Sequence, residues 1–185
     1  MAVRDVLIVV DAQRIVQSYG RNDAGRTGEY VPLGQGGEGQ GFVYMFATYS
    51  DARGEGSSEL DIGANAGDTI RWRMASISEG NNYSCFMTHF VFTGPANYSE
   101  FITEPQQKYE TIKTLQIDKK APMLRGVVPI ERDDFYWEAT MIKPGRLVYH
   151  TKFLVFCSDG GGTTTGGGGG NNDPYGGYQW DPFID

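Results

Sequence analysis

The chain has 185 residues, of which 13% are aromatic, enough for one domain with a sizeable core, residues 1–185. Its formal net charge of −7 argues against a nucleic-acid partner, because phosphate binding needs clustered lysine and arginine side chains. No segment approaches the ~20 consecutive apolar residues of a transmembrane helix, so no membrane span is predicted.

The first predicted strand covers residues 3–10 and ends at Asp11. Residues 12–19 carry the only helical pattern, with Asp11 as N-cap and Gly20 as the stop. Short turns rich in Gly, Pro and Asn separate the remaining predicted strands. These strands cover residues 42–49, 57–62, 69–74, 85–92, 109–117, 134–141, 146–158 and 178–184.

Alternation of apolar and polar side chains is the main evidence for strands. In residues 69–74, Trp72 points to one face, whereas Arg71 and Arg73 point to the other. Residues 134–141 repeat the pattern, and the side chains predicted to face inward are Phe135, Trp137, Ala139 and Met141. Many short strands with one short helix predict an all-β fold, an antiparallel β-sandwich of the jelly-roll or immunoglobulin-like kind. The lack of crossover helices excludes a parallel α/β sheet.

A glycine-rich segment, residues 159–177, precedes the last predicted strand, residues 178–184, and holds ten of the 26 glycines. Because ordering glycine costs much backbone entropy, a flexible span before an apolar anchor predicts a long loop that returns a strand to the sheet. Pro182 cannot donate a ladder hydrogen bond, so residues 180–184 are expected to lie on an edge or to pair through one side only. Free edges favour self-association, and we expect a homo-oligomer, a dimer formed through sheet edges or faces.

No residue pattern indicates a catalytic site, and a protein that is not an enzyme is predicted. The glycines after Asp159 lack the lysine and the helix of a phosphate-binding loop. The two histidines, His89 and His150, lie inside strand patterns. Cys85 shares a strand face with His89 at about 13 Å, too far for a hydrogen bond. Cys85 and Cys157 are expected to stay reduced.

An oxygen-rich loop near the C-terminus is a candidate calcium site, because carboxylate, hydroxyl and amide oxygens are the ligands that calcium takes. The loop is similar to the calcium loop of small galactose-binding bacterial lectins, in which an Asp, a Thr and an Asn-Asn pair hold one ion shared with sugar hydroxyls. The spacing between the Thr and the Asn pair departs from that pattern. The candidate ligands are Asp159, Thr163, Asn171, Asn172 and Asp173.

A carbohydrate site needs aromatic faces beside hydrogen-bonding side chains. Residues of both kinds lie near predicted loop edges. The candidates are Tyr175, Tyr178, Asn81 and Asn82, with Tyr30 and Tyr83 as further aromatic residues. A lectin-like carbohydrate-binding module, with or without calcium, is therefore the alternative function.

Three segments form an ordered set of motifs along the chain: the strand of residues 5–11 with the helix after it, residues 58–62 followed by the turn and strand of residues 64–73, and the C-terminal residues 180–184. Together they resemble the bacterial PixA/AidA inclusion-body protein family. The motif positions are Gly67, Asp68, Trp72, Trp180, Asp181 and Pro182.

The resemblance implies an antiparallel sandwich in a cytoplasmic protein of host-interacting bacteria, abundant in late growth, some of whose members form inclusions. It carries over no catalytic residues. No signal peptide is predicted at the N-terminus, and non-classical export stays open. Two departures from the family pattern, the glycine insertion at residues 160–170 and only six methionines, argue against methionine storage.

Overall fold

The computed structural model describes residues 1–34, 41–47, 52–78, 82–118, 126–157 and 173–180. Within these ranges the chain forms nine strands and two short helices, and Tyr98–Glu100 is a 3-10 turn. The strands are β1 (Val3–Asp11), β2 (Val31–Pro32), β3 (Val43–Ala47), β4 (Thr69–Ile77), β5 (Tyr83–Gly94), β6 (Gln106–Ile117), β7 (Val127–Thr140), β8 (Val148–Cys157) and β9 (Gly176–Trp180). The helices are α1 (Ala12–Tyr19) and α2 (Ala24–Thr27). Neither helix is long and apolar enough to cross a membrane.

The strands form two sheets, one in the order β3-β1-β4-β7-β6 and the other in the order β2-β9-β8-β5. The predicted all-β sandwich is confirmed, and the sheets are mixed. The pairs β1–β4 and β2–β9 are parallel, and the other pairings of the described strands are antiparallel. Parallel neighbours need a long crossover, and the β1–β4 crossover contains α1, α2, β2 and β3. Because β1 and β4 are far apart in the chain, their pairing leaves no turn signal in the sequence.

The hydrophobic core lies between the two sheets. Trp72 of β4 is 1% exposed, and its ring contacts Phe90 and Tyr149 of the second sheet at centroid distances of 4.6 and 5.9 Å. Phe153 and Tyr178 are fully buried in the same cluster. Burying an apolar side chain of this size contributes about 1.5–3 kcal/mol, so this aromatic contact is a major link between the sheets.

The predicted helix is confirmed as α1. The Asp11 side chain accepts a hydrogen bond from the backbone N–H of Arg14 at 2.9 Å, as an N-cap does. Gly20 ends the helix with a positive φ of 68°. The apolar face of α1 buries Ile15 and Val16 in the core. The second helix, α2, was not predicted, because its four residues leave no periodic pattern.

The predicted strand at residues 57–62 is wrong. Its residues make only isolated bridges, in which Ser57 pairs with Met45 and Asp61 pairs with Arg53. The hydroxyl of Ser57 lies 2.6 Å from both the Gly54 and the Glu59 carbonyl oxygens. These local side-chain hydrogen bonds hold a turn in place of a ladder.

Strand β9 lies between β2 and β8 in its sheet, whereas the edge or one-sided pairing predicted for residues 180–184 falls almost wholly outside the described residues. Tyr178 pairs with Phe153 of β8 on one side and with Val31 of β2 on the other. The two glycines of β9 let it pass close to α2, since a Cβ at Gly177 would lie 2.6 Å from the Ala24 Cβ. Residues 181–184 of the last predicted strand, residue 158 of the predicted strand before the loop and residues 159–172 of the predicted loop lie outside the described residues.

Candidate functional site

The hairpin of β6 and β7 extends past the sandwich. Strand β7 pairs with β4 over four positions, from Thr140 to Trp137, whereas it pairs with β6 over twelve. In the described structure, residues 109–117 and 127–135 therefore find their ladder partners only in each other. We call this two-stranded ribbon the arm. A lone two-stranded ribbon is only marginally stable in water and gains stability when another surface packs against it. The side chains on each face of the arm therefore indicate where such packing can occur.

One face of the arm continues the face that is buried in the sandwich. Along β7, Ala139 is 2% exposed and Trp137 is half-buried, but Phe135 is 51% exposed. Phe135 was predicted to face the core. Its side chain lies on the core-facing side of β7, but the second sheet covers only the edge of the Phe135 ring, where Phe86 contacts it. We call this side of the arm the inner face. Its residues are Tyr109, Thr111, Lys113, Leu115 and Ile117 of β6 and Val127, Pro129, Glu131, Asp133 and Phe135 of β7.

The base of the inner face, next to the sandwich, is aromatic. The Phe135 ring lies 5.9 Å from Tyr109 and 6.4 Å from Phe86 of β5, measured between centroids. Tyr109 is 70% exposed, and Phe86 is 40% exposed. These three rings form an apolar block that faces solvent.

The far end of the inner face is aliphatic, and a polar band separates it from the aromatic base. In the band, Thr111 donates a hydrogen bond to Asp133 at 3.0 Å, and Lys113 lies 3.7 Å from Glu131. The tip beyond the band consists of exposed Leu115, Ile117, Val127 and Pro129. From its base to its tip, the inner face therefore consists of an apolar aromatic block, a polar band and an apolar aliphatic tip.

The opposite, outer face of the same region carries satisfied charges. The guanidinium groups of Arg71 and Arg73 cover the Tyr136 ring at 4.8 and 4.9 Å and leave it 6% exposed. Arg71 Nε donates to Glu138 at 2.8 Å, and Arg73 Nε donates to Asp134 at the same distance. The outward direction predicted for both arginines is confirmed. Near the sandwich, ion pairs within the chain thus cover the outer face.

A small cavity lies beneath the aromatic base, between β4, β5 and β7. Its volume is about 50 Å³, room for one or two waters, whereas ligand pockets hold roughly 300–1,000 Å³. Trp137 closes one side and donates its Nε1 hydrogen to the Met87 carbonyl at 3.2 Å. Burial raises the pKa of the Cys85 thiol in the cavity wall to about 12, so it stays protonated at neutral pH.

Only Asp173, of the five predicted calcium ligands, lies within the described residues. Its carboxylate accepts a hydrogen bond from Arg26 at 2.9 Å. A calcium ion at this carboxylate would have to compete with that ion pair. The described ranges contain no cluster of three or more His, Cys, Asp and Glu side chains that could hold a metal. The other four predicted ligands, Asp159, Thr163, Asn171 and Asn172, lie outside the described residues.

Tyr178 cannot serve as the predicted sugar platform. It is 0% exposed, and its hydroxyl donates to the Gly20 carbonyl at 2.6 Å, which anchors β9 to the end of α1. Its burial also raises the pKa of the phenol. Tyr175 is half-buried and packs edge-on against Tyr83 at 6.1 Å. Asn82 is half-buried just before β5, and Asn81 lies outside the described residues.

The structure describes four of the six family-motif positions, and each of these four makes contacts within the fold. Gly67 has a φ of +85°, as expected for the predicted turn, and donates its N–H to the Met141 carbonyl at 2.8 Å. Asp68 is 4% exposed and binds the chain near the N-terminus. Trp180 donates its Nε1 hydrogen to the Ser58 carbonyl at 2.9 Å. Asp181 and Pro182 lie outside the described residues.

The sequence predicted the strand at residues 109–117 but not the inner face of the arm. Residues 127–133 were not predicted as a strand, because Pro129 interrupts the alternation. The alternate apolar residues Leu115, Ile117 and Val127 were a usable signal. Whether they are covered depends on how far the opposing sheet extends, and local sequence does not encode that.

Comparisons with known proteins agree with this architecture. The family model described as PixA, inclusion body protein, matches residues 2–185. Among the solved structures that match is the crystal structure of an inclusion body protein of the PixA family from Burkholderia cenocepacia J2315. It has a TM-score of 0.67 and 14% identity, and the match covers 100% of this chain and 96% of that one. No curated protein matches. Because the family model covers nearly the whole chain, this protein belongs to the PixA family of inclusion body proteins.

Proposed function

We propose that this chain is a non-catalytic protein that packs with copies of itself, as one domain in the cytoplasm. The observation that carries the proposal is the exposed inner face of the arm on a member of a family described as inclusion body proteins. A role in host association or late growth belongs to the same proposal, and the family resemblance is its support.

The size of the exposed apolar surface supports association. Six large apolar side chains on and beside the arm are between 40% and 70% exposed, which corresponds to roughly 600 Å² of accessible surface. They are Phe86, Tyr109, Leu115, Ile117, Val127 and Phe135. The polar band divides them into two patches of about 300 Å² each, at the lower end of the range of about 300–600 Å² for the largest apolar patch on an ordinary monomer, and patches of that size commonly bind a partner.

The described reactive side chains support a function without catalysis. His89 is exposed, and its ring packs edge-on against Tyr30 at 6.0 Å. The protonated Cys85 thiol is a poor nucleophile, because the thiolate is the reactive form. Neither residue is placed beside an activating base in the contacts that the structure shows.

Sedimentation velocity over about a hundredfold range of protein concentration tests the proposal, since self-association follows mass action. We expect species heavier than the 20.4 kDa monomer, with a fraction that rises with concentration. A monomer throughout that range would contradict the proposal. Binding to a glycan array that is lost with a chelator would instead favour the carbohydrate-binding alternative.

A further inference from the structure

We infer that the inner face of the arm binds the inner face of a second copy, with the two arms antiparallel. This inference rests on the proposed function, because it names the surface through which copies associate. It commits to one occupant, the arm of another molecule, and four observations support that choice.

The first observation is the missing second layer. In the sandwich, the inner side of β7 is covered by the second sheet, whereas from Phe135 to Val127 the same side faces solvent. A sheet face with apolar side chains is stable when another layer covers it at about 10 Å. The arm of a second copy is such a layer, and it has the same length. The partner's arm would then cover the inner face beyond the point where the second sheet ends.

The second observation is the symmetry of the inner face. The polar band of Thr111, Lys113, Glu131 and Asp133 is centred on the register of the Ile112–Arg132 pair. Tyr109 and Leu115 are each three residues from Ile112, and Phe135 and Pro129 are each three residues from Arg132. A two-fold interface brings one patch onto its own copy, so it must be self-complementary. Antiparallel arms place the aliphatic tip of each copy on the aromatic base of the other.

The third observation concerns the polar band, which lies at the centre of such an interface. Charged groups are costly to bury unless they are paired. Here Glu131 has Lys113 and Asp133 has Thr111 within the same arm. The band can therefore approach the band of a second copy without leaving these carboxylates unpartnered.

The fourth observation is area. The six exposed apolar side chains of two copies together offer about 1,200 Å², the lower bound of a standard specific interface. The two arms, each with the adjoining Phe86 of β5, reach that bound without the rest of the surface. A parallel arrangement would bring both sandwiches to the same end, where each second sheet already occupies the space over the arm base.

Leu115→Lys tests the surface, with Ile142→Lys as a matched control. Leu115 is 68% exposed at the tip, and Ile142 is 49% exposed on the loop after β7, so both variants should fold. We expect Leu115→Lys to weaken dimerisation by about 100-fold or more, because each change occurs twice in a two-fold interface. Ile142→Lys should associate like the unmodified protein. Circular dichroism and melting temperature verify folding.

Each sedimentation outcome bears on the proposal. Unchanged association of Leu115→Lys overturns the arm interface and leaves the proposed function intact. Equal loss in Ile142→Lys also overturns it, because added charge alone would then explain the effect. An unmodified protein that stays monomeric overturns both the interface and the proposed function.

Cross-linking tests the antiparallel arrangement. Tyr109 and Leu115 lie about 20 Å apart along one arm, but on facing positions of antiparallel partners. A short bismaleimide should therefore cross-link a mixture of Tyr109→Cys and Leu115→Cys proteins more than either variant alone. The unmodified protein measures the background from Cys85 and Cys157. Efficient cross-linking of Leu115→Cys to itself would overturn the antiparallel arrangement.

Discussion

Asp68 joins the N-terminal segment to the turn before β4 through one carboxylate. Its oxygens accept backbone hydrogen bonds from Ala2 at 2.7 Å and Asn65 at 3.1 Å, and Arg4 lies 3.6 Å away. The hydrogen bond from Ala2, then that from Asn65, holds the pKa of this carboxyl below its usual value. A motif position that looked like a turn residue therefore also fixes the start of β1 beside β4.

Replacing Asp68 with Asn should lower the melting temperature at neutral pH, because an amide offers one acceptor oxygen in place of two. A folded-state pKa below the unfolded value near 3.9 means that the carboxylate stabilises the fold fully above pH 4. That stabilisation is lost as the pH falls through the folded pKa, so the gap between the two proteins should narrow in acid.

Thermal denaturation between neutral and acid pH measures this gap. Asp173→Asn is the control, because Asp173 forms an exposed pair with Arg26 that contributes little. A gap between the proteins that stays constant down to pH 2 would show that Asp68 acts by packing alone.

Trp180→Phe should destabilise the fold by about 1–3 kcal/mol, because it leaves the buried Ser58 carbonyl without its donor. Trp137→Phe is the matched control, since Trp137 makes the same kind of bond to Met87 but is only half-buried. Urea unfolding of both variants gives the two free energies. A larger loss for Trp137→Phe would mean that the arm base, and not the β9 anchor, depends more on its indole bond.

At the scale of elements, β9 is tied into the fold by close contact with α2. Adding a methyl group at Gly177 places it 2.6 Å from the Ala24 Cβ and 3.0 Å from the Tyr30 ring. Gly177→Ala should therefore cost about 1–3 kcal/mol through overpacking. Gly94→Ala is the control, since its new Cβ would meet Val148 at 3.9 Å, an ordinary contact. Equal unfolding free energies for both variants would contradict a tight β9–α2 contact.

Elements defined by local signals were predictable, and elements defined by distant partners were not. The helix α1 followed from Asp11, its periodicity and Gly20, and the alternation in β4 placed Trp72 in the core. The central position of β9 did not follow, because β2, its second partner, has only two residues. The exposure of Phe135 likewise depends on where the opposing sheet ends.

At the scale of the whole molecule, the sandwich and the arm differ in the contacts that stabilise them. The sandwich has a common core that draws on both sheets and α1. The arm has one ladder and small polar contacts, and its apolar residues are largely exposed. Local stability follows buried contacts, so the arm should be the first strand pair to open in isolated copies.

Removing the arm should therefore leave a folded monomer. The shortened hairpin would join Glu110 to Asp134 through an Asn-Gly turn, which suits antiparallel neighbours, and these two residues already pair. Because the deleted inner-face side chains contribute little to the core, we expect a melting temperature within a few degrees of the unmodified protein at dilute concentration. At high concentration the unmodified protein should melt higher, because association stabilises the folded state. Unfolding of the shortened chain would show instead that the arm is part of the structural core.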